Sequence, residues 1–126
     1  MIALLNELKS RLPLRIDSVH WDRDTLNLIG GKWNLVTMSA WRVINTGSVE
    51  FACYDTDIDD LVNGLVNKSI VSVEVQSIAI SVDPIFQLDD HRKLEIFSTD
   101  TVEPWVLNLN GITLVGGYSE ENKLGN

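Results

Sequence analysis

The side chains in this chain that could do chemistry are few and mostly acidic. His20-Trp21-Asp22 sets an imidazole two positions from a carboxylate, the makings of an acid–base pair, but no Ser or Cys stands in a nucleophile motif that would use it. His91 lies between Asp90 and Arg92 in a polar run that reads as a hairpin tip, without the desolvation that tunes a catalytic pKa. Two histidines and a single cysteine, Cys53, give no zinc-ligand spacing. Asp55, Asp57 and Asp59 match the first three oxygen ligands of an EF-hand loop, but Asp60 replaces the glycine at position 6 and Val66 the glutamate at position 12. Helix capping and attraction to a helix dipole account for the same aspartates more simply. Gly30-Gly31 and Gly116-Gly117 lack the spacing of a phosphate loop. The chain is therefore expected to need no metal and no cofactor and not to be an enzyme.

What remains is surface chemistry. Asp55, Asp57, Asp59 and Asp60 form one acidic turn beside Tyr54, and Asp89, Asp90, Asp100 and Glu103 form its counterpart near Phe97 and Trp105. Carboxylates around exposed aromatic rings would steer and anchor a protein that presents Lys and Arg. The competing reading puts Trp105 in the core and leaves the carboxylates as solvated turn residues. A formal net charge of −8, from 18 acidic and 10 basic side chains, argues against a nucleic-acid partner, whose phosphates need cations. The same charge would also keep a small domain soluble.

The elements that position these groups follow from periodicity. Ile2, Leu5, Leu8 and Leu12 recur at helical spacing until Pro13, so a helix is expected over Ile2 to Leu12, its stripe a core or homodimer contact rather than a membrane surface. Leu14 to Val19 reads as a strand running into the Asp22-Arg23-Asp24 turn. Leu26-Asn27-Leu28 and Trp33 to Thr37 read as a hairpin whose turn, Gly30-Gly31, supplies positive φ angles. Trp41 to Ile44 pairs with Ser48 to Tyr54, with Val49, Phe51 and Cys53 on one face. Asp57 is the expected N-cap of a helix over about 57–66, carried by Ile58, Leu61, Val62, Leu65 and Val66. Four β-rich runs follow, Ile70 to Val75, Ile78 to Val82, Phe86 to Leu88 and Leu94 to Phe97. Leu107 to Val115 is a hairpin around Asn110-Gly111, a pair that favours a type I′ turn.

A length of 126 residues fits one domain, expected over 1–118, with a loose polar tail over 119–126. Val49-Glu50-Phe51 and Asp55-Thr56 recur at constant offset as Leu94-Glu95-Ile96 and Asp100-Thr101, so the domain is expected to contain two similar β units. The fold class is α+β, mainly antiparallel sheet with an N-terminal and one internal helix. One cysteine and no long apolar run fit a reducing, cytoplasmic setting without a membrane.

Trp41-Arg42-Val43-Ile44, Asp83-Pro84-Ile85-Phe86, Leu94 to Phe97 and Pro104 to Leu107 leading to Gly111 and Gly116 together resemble a family of small bacterial domains of unknown function. The likeness covers about Leu26 to Gly117 and is carried by strands and turns. Such domains resemble the immunity proteins of contact-dependent inhibition and related toxin systems. The resemblance implies binding and occlusion of a basic toxin domain, a nuclease being the leading case. The alternative is a self-associating accessory or small-ligand module, with Ile2 to Leu12 as the dimer contact.

Overall fold

A computed structural model describes residues 2–76, 83–99 and 104–116, with side chains from residue 6 onward. The expected strand Ile78 to Val82, the tail, Asp100 and Glu103 lie outside the described residues. The helix α1 spans Ile2–Lys9. It stops short of Leu12 because the amides of Arg11 and Leu12 bond back to Leu8 and Lys9 in a tightened last turn ahead of Pro13. Leu8 is fully buried and Leu12 packs against the core, so these two members of the stripe face inward.

The strands are β1 (Leu14–Arg15), β2 (Ser18–Trp21), β3 (Leu26–Ile29), β4 (Asn34–Thr37), β5 (Ala40–Asn45) and β6 (Ser48–Ala52). After the helix α2 (Asp59–Asn63) come β7 (Ser69–Val75), β8 (Pro84–Leu88), β9 (Lys93–Phe97), β10 (Trp105–Leu109) and β11 (Ile112–Val115). They form a six-stranded sheet in the order β1-β7-β8-β9-β5-β6 and a five-stranded sheet in the order β11-β10-β4-β3-β2. Every pairing is antiparallel. The α+β class with two short helices is as the periodicity predicts.

The strand expected over Leu14 to Val19 is two strands, because the chain changes sheets at Ile16 and Asp17. Ile16 exchanges backbone bonds with Asn67 and Lys68, whereas the Asp17 amide already bonds to Ile29 of the other sheet. From that corner β2 reaches β5, where Trp21 meets Trp41 at 5.2 Å. The corner lies beside β7, three strands from β5, or roughly 14 Å at ordinary strand spacing. A four-residue β2 covers that distance only by crossing the first sheet's strands. The sheets thus pack with crossed strands and share one apolar core, with corners turned by the chain itself.

Two turns differ from expectation. Gly30 and Gly31 do not adopt positive φ, and the β3–β4 connection has four residues. Gly30 is needed for space instead: a Cβ there would lie 1.8 Å from the Trp33 indole nitrogen. That indole covers the glycine and donates Nε1–H to the Arg15 carbonyl at 3.0 Å. Gly30→Ala is accordingly expected to displace Trp33 and destabilise by about 1–2 kcal/mol, read as a lower urea midpoint with loss of the Trp33 indole N–H protection. At Asn110-Gly111 the hairpin forms, but only Gly111 takes a positive φ (+88°), which a type I′ turn requires at both positions. The β5–β6 turn has that geometry instead, with Thr46 at +50° and Gly47 at +81°.

β6 carries a bulge at Glu50, since Val43 pairs with Phe51 while Ile44 pairs with Val49. The extra residue breaks the alternation expected for Val49, Phe51 and Cys53. Val49 turns outward at 47% exposure, while Phe51 and Ala52 are both buried. The two copies of the sequence repeat also occupy unlike places. Val49-Glu50-Phe51 lies in the margin strand β6, while Leu94-Glu95-Ile96 lies in β9 between β8 and β5.

Candidate functional site

The segment after β6 is held open by its own backbone. The Asp55 carboxylate accepts the Ala52 amide at 2.8 Å, and the Asp55 amide donates to the Ala52 carbonyl. This reversal throws Tyr54 outward, where 78% of it is exposed. Asp57 then takes a left-handed φ of +56°, and Ile58 drops into the core.

That geometry corrects the expected helix over 57–66. Ile58, not Asp57, is the N-cap, no side chain caps it, and α2 ends before Gly64. Asp57 cannot cap because its left-handed turn aims the chain so that Ile58 buries first. Leu61 of the anticipated stripe is exposed, while Val62 and Leu65 are buried. Asp57, Asp59 and Asp60 are exposed and make no ion pair among the described residues. No group of three His, Cys, Asp or Glu is placed to hold a metal among the described residues.

Beside this acidic segment lies a hollow of about 250 Å³. Three stretches remote in sequence build it: Trp21 at the end of β2 with Arg23 and Asp24 after it, Met38 and Ser39 running into Ala40 and Trp41 of β5, and Cys53-Tyr54 after β6. Trp41, 1% exposed, lies edge-on to both Trp21 and Phe51 and fixes the wall. Cys53 accepts the Trp41 amide on Sγ at 3.5 Å, which ties the β6 end to β5. Met38, 66% exposed, and Tyr54 stand at the lip. Sequence reasoning missed Trp21 and Met38, which only the crossing of the sheets brings beside Tyr54.

The second acidic group is divided by the structure. Asp89 is exposed, but Asp90 is occupied: Arg92 Nε lies 2.8 Å and Lys68 Nζ 3.9 Å from it. Burial alone would raise the Asp90 pKa, but the Arg92 amide and guanidinium with the Lys68 charge outweigh it and hold the carboxyl below its usual range. Arg92 also reaches Glu50 of β6 at 3.0 Å and the Gly64 carbonyl at the end of α2. The hairpin tip is thereby tied to the same side of the molecule as α2. Phe97 is half-buried under the Arg42 guanidinium at 4.9 Å, itself paired with Glu95.

Trp105 does not belong to this surface. It is 1% exposed, on the core face of β10 with Leu107 and Leu109, and Gly116 lies against its indole. A Trp there stabilises the sheet and offers no ring to a partner. Asp22 binds the amides of Thr25 and Asp24, first and second in effect, which lowers its pKa and assigns its carboxylate to the turn. The His20 imidazole makes no hydrogen bond among the described residues.

Comparison of the chain with family models, with curated proteins and with solved structures finds no significant match in any of the three. No helix among the described residues is long and apolar enough to cross a membrane.

Proposed function

We propose that this chain is a binding protein that recognises a basic protein domain through the Tyr54 face, acting as a cytoplasmic immunity protein that occludes a toxin without catalysis. A cationic nuclease domain is the partner whose charge fits best. The observation that carries the reading is the exposure of Tyr54 and Met38 at the lip of a hollow, with Asp57, Asp59 and Asp60 following Tyr54 in the chain, exposed and without an ion pair among the described residues. Large apolar side chains held outward at a fixed place are the usual anchors of an interface, and surrounding carboxylates raise the association rate with a basic surface. Asp55 and Asp90 serve the scaffold, so the steering charges are Asp57, Asp59, Asp60 and Asp89.

Co-expression with the toxin domain encoded by the neighbouring gene tests the role directly: if cells die as fast with this protein as without it, the reading is wrong. In purified components, the double reversal Asp57→Lys with Asp60→Lys should slow association about tenfold at low salt and much less at high salt. Stopped-flow mixing with the toxin domain measures this. Tyr54→Ala should act instead on dissociation, weakening the complex by about 2 kcal/mol.

A further inference from the structure

A second cleft, of about 370 Å³, opens on the outer face of the five-stranded sheet, at the other end of the β3–β4 hairpin from the Tyr54 hollow. Its floor carries three half-buried asparagines, Asn27, Asn34 and Asn108, one on each of three adjacent strands. Asparagine is disfavoured inside strands, and three on one face of neighbouring strands depart from what the fold needs.

The three are joined in a row. Asn34 Nδ2 donates to Asn27 Oδ1 at 3.4 Å, Asn108 Nδ2 donates to Asn34 Oδ1 at 3.0 Å, and Thr113 Oγ1 donates to Asn108 Oδ1 at 3.0 Å. Each amide has two N–H groups and two lone pairs, so Asn34 and Asn108 each retain one donor and one acceptor, and Asn27 retains two donors and one acceptor. Asn34 and Asn108 stand opposite one another, and Asn27 lies diagonally from Asn34, two residues along β3 from Ile29. A hydroxyl both donates and accepts, so hydroxyls set around one ring, not adjacent ones, can each meet an amide of this cluster. The backbone groups of β3, β4 and β10 are paired with strands on both sides, so an added peptide strand finds no edge here.

The walls complete the fit. Ile29, on the outer face of β3, offers apolar surface to the C–H face of a ring. The loop carrying Lys32 is fixed by the Trp33 indole over Gly30 and its bond to Arg15, and the Gly30 amide bonds the Trp33 carbonyl at 2.9 Å. Arg11 donates to the Asn110 carbonyl and steadies the turn beyond Leu109. Lys32 is exposed and makes no ion pair among the described residues, while nearby Asp17 is paired with Arg15 at 3.6 Å. The volume suits one sugar ring.

We propose that this cleft binds a monosaccharide through the asparagine row and favours a sugar acid through Lys32. The test is titration of the isotope-labelled full chain with D-glucose, D-galactose, N-acetyl-D-glucosamine and D-glucuronate, following the side-chain amides of the three asparagines and the Trp33 indole N–H. Saturable shifts at millimolar sugar are expected, with glucuronate about fivefold tighter than glucose, the worth of one exposed ion pair. Asn34→Val, which introduces a strand-favouring residue and so spares the fold, should weaken every sugar at least about tenfold. Lys32→Ala, on an exposed loop, should remove only the glucuronate preference. Absence of saturable shifts with all four sugars overturns the proposal. So do shifts that persist unchanged in folded Asn34→Val, or a glucuronate preference that survives Lys32→Ala.

Discussion

Replacing Trp41 with alanine is expected to cost about 3–5 kcal/mol and to lower the thermal midpoint by on the order of 15 °C. The ring is 1% exposed and stands where β2 crosses the first sheet, edge-on to Trp21 at 5.2 Å and to Phe51 at 5.9 Å. Its loss opens a cavity in the core that both sheets share and removes two aromatic contacts worth about 0.5–1.5 kcal/mol each beyond area. Trp41→Phe separates packing from polarity. Nε1 of Trp41 is buried without a hydrogen-bond partner among the described residues, and a buried donor without a partner carries a desolvation cost of about 1–3 kcal/mol. Phenylalanine deletes that donor and keeps much of the volume, so its net loss should stay below about 2 kcal/mol. Urea unfolding of both variants measures the difference; an alanine variant within about 1 kcal/mol of the parent would show that the core around Trp41 is not close-packed. Because Trp41 also forms the wall beneath Met38 and Tyr54, the alanine variant should lose partner affinity while the phenylalanine variant retains it.

Much of the local structure could be read from residue order, and most of the site could not. Helical spacing in Ile2 to Leu8 and alternation in β3, β4, β9 and β10 are short-range signals, and those elements lie where they predict. The burial of Trp105 was also legible: Trp105, Leu107 and Leu109 alternate on one face of β10, and a strand cannot bury two of them while presenting the third. The bulge at Glu50 is different, because one extra residue is visible only against a partner strand. The switch at Ile16 likewise depends on bonds to Asn67 and Lys68, about fifty positions away. The hollow inherits both dependencies, since Trp21, Met38 and Tyr54 share no local pattern and meet through sheet crossing alone. The asparagine row is an intermediate case: three amides in strand-like segments were visible, but their alignment requires the register Asn34 to Asn108.

The second large effect concerns the link between the hairpin tip and the acidic segment. Arg92→Met, which keeps the aliphatic stem, should destabilise the protein by about 2–3 kcal/mol near neutral pH, more than an exposed ion pair could account for. The Arg92 side chain is only 13% exposed and binds Asp90, Glu50 and the Gly64 carbonyl together, so its loss leaves two partly buried carboxylates without their main partner. The pH dependence identifies the electrostatic share. Asp90 has a folded pKa below its unfolded value, since Arg92 and Lys68 outweigh burial. A lowered carboxyl pKa contributes stability that is complete above the unfolded value of about 3.9 and is lost as pH falls through the folded one. The gap between parent and Arg92→Met should therefore be constant near neutrality and narrow below about pH 4, as Asp90 takes up its proton in both proteins. Urea midpoints taken from neutrality down to about pH 3 measure that narrowing. A gap that keeps its full size in acid would assign the effect to the Gly64 bond and to packing. Because Arg92 ties the tip to the end of α2, the same variant should also loosen the Asp57 to Asp60 segment, seen as faster amide exchange in α2 than in β9.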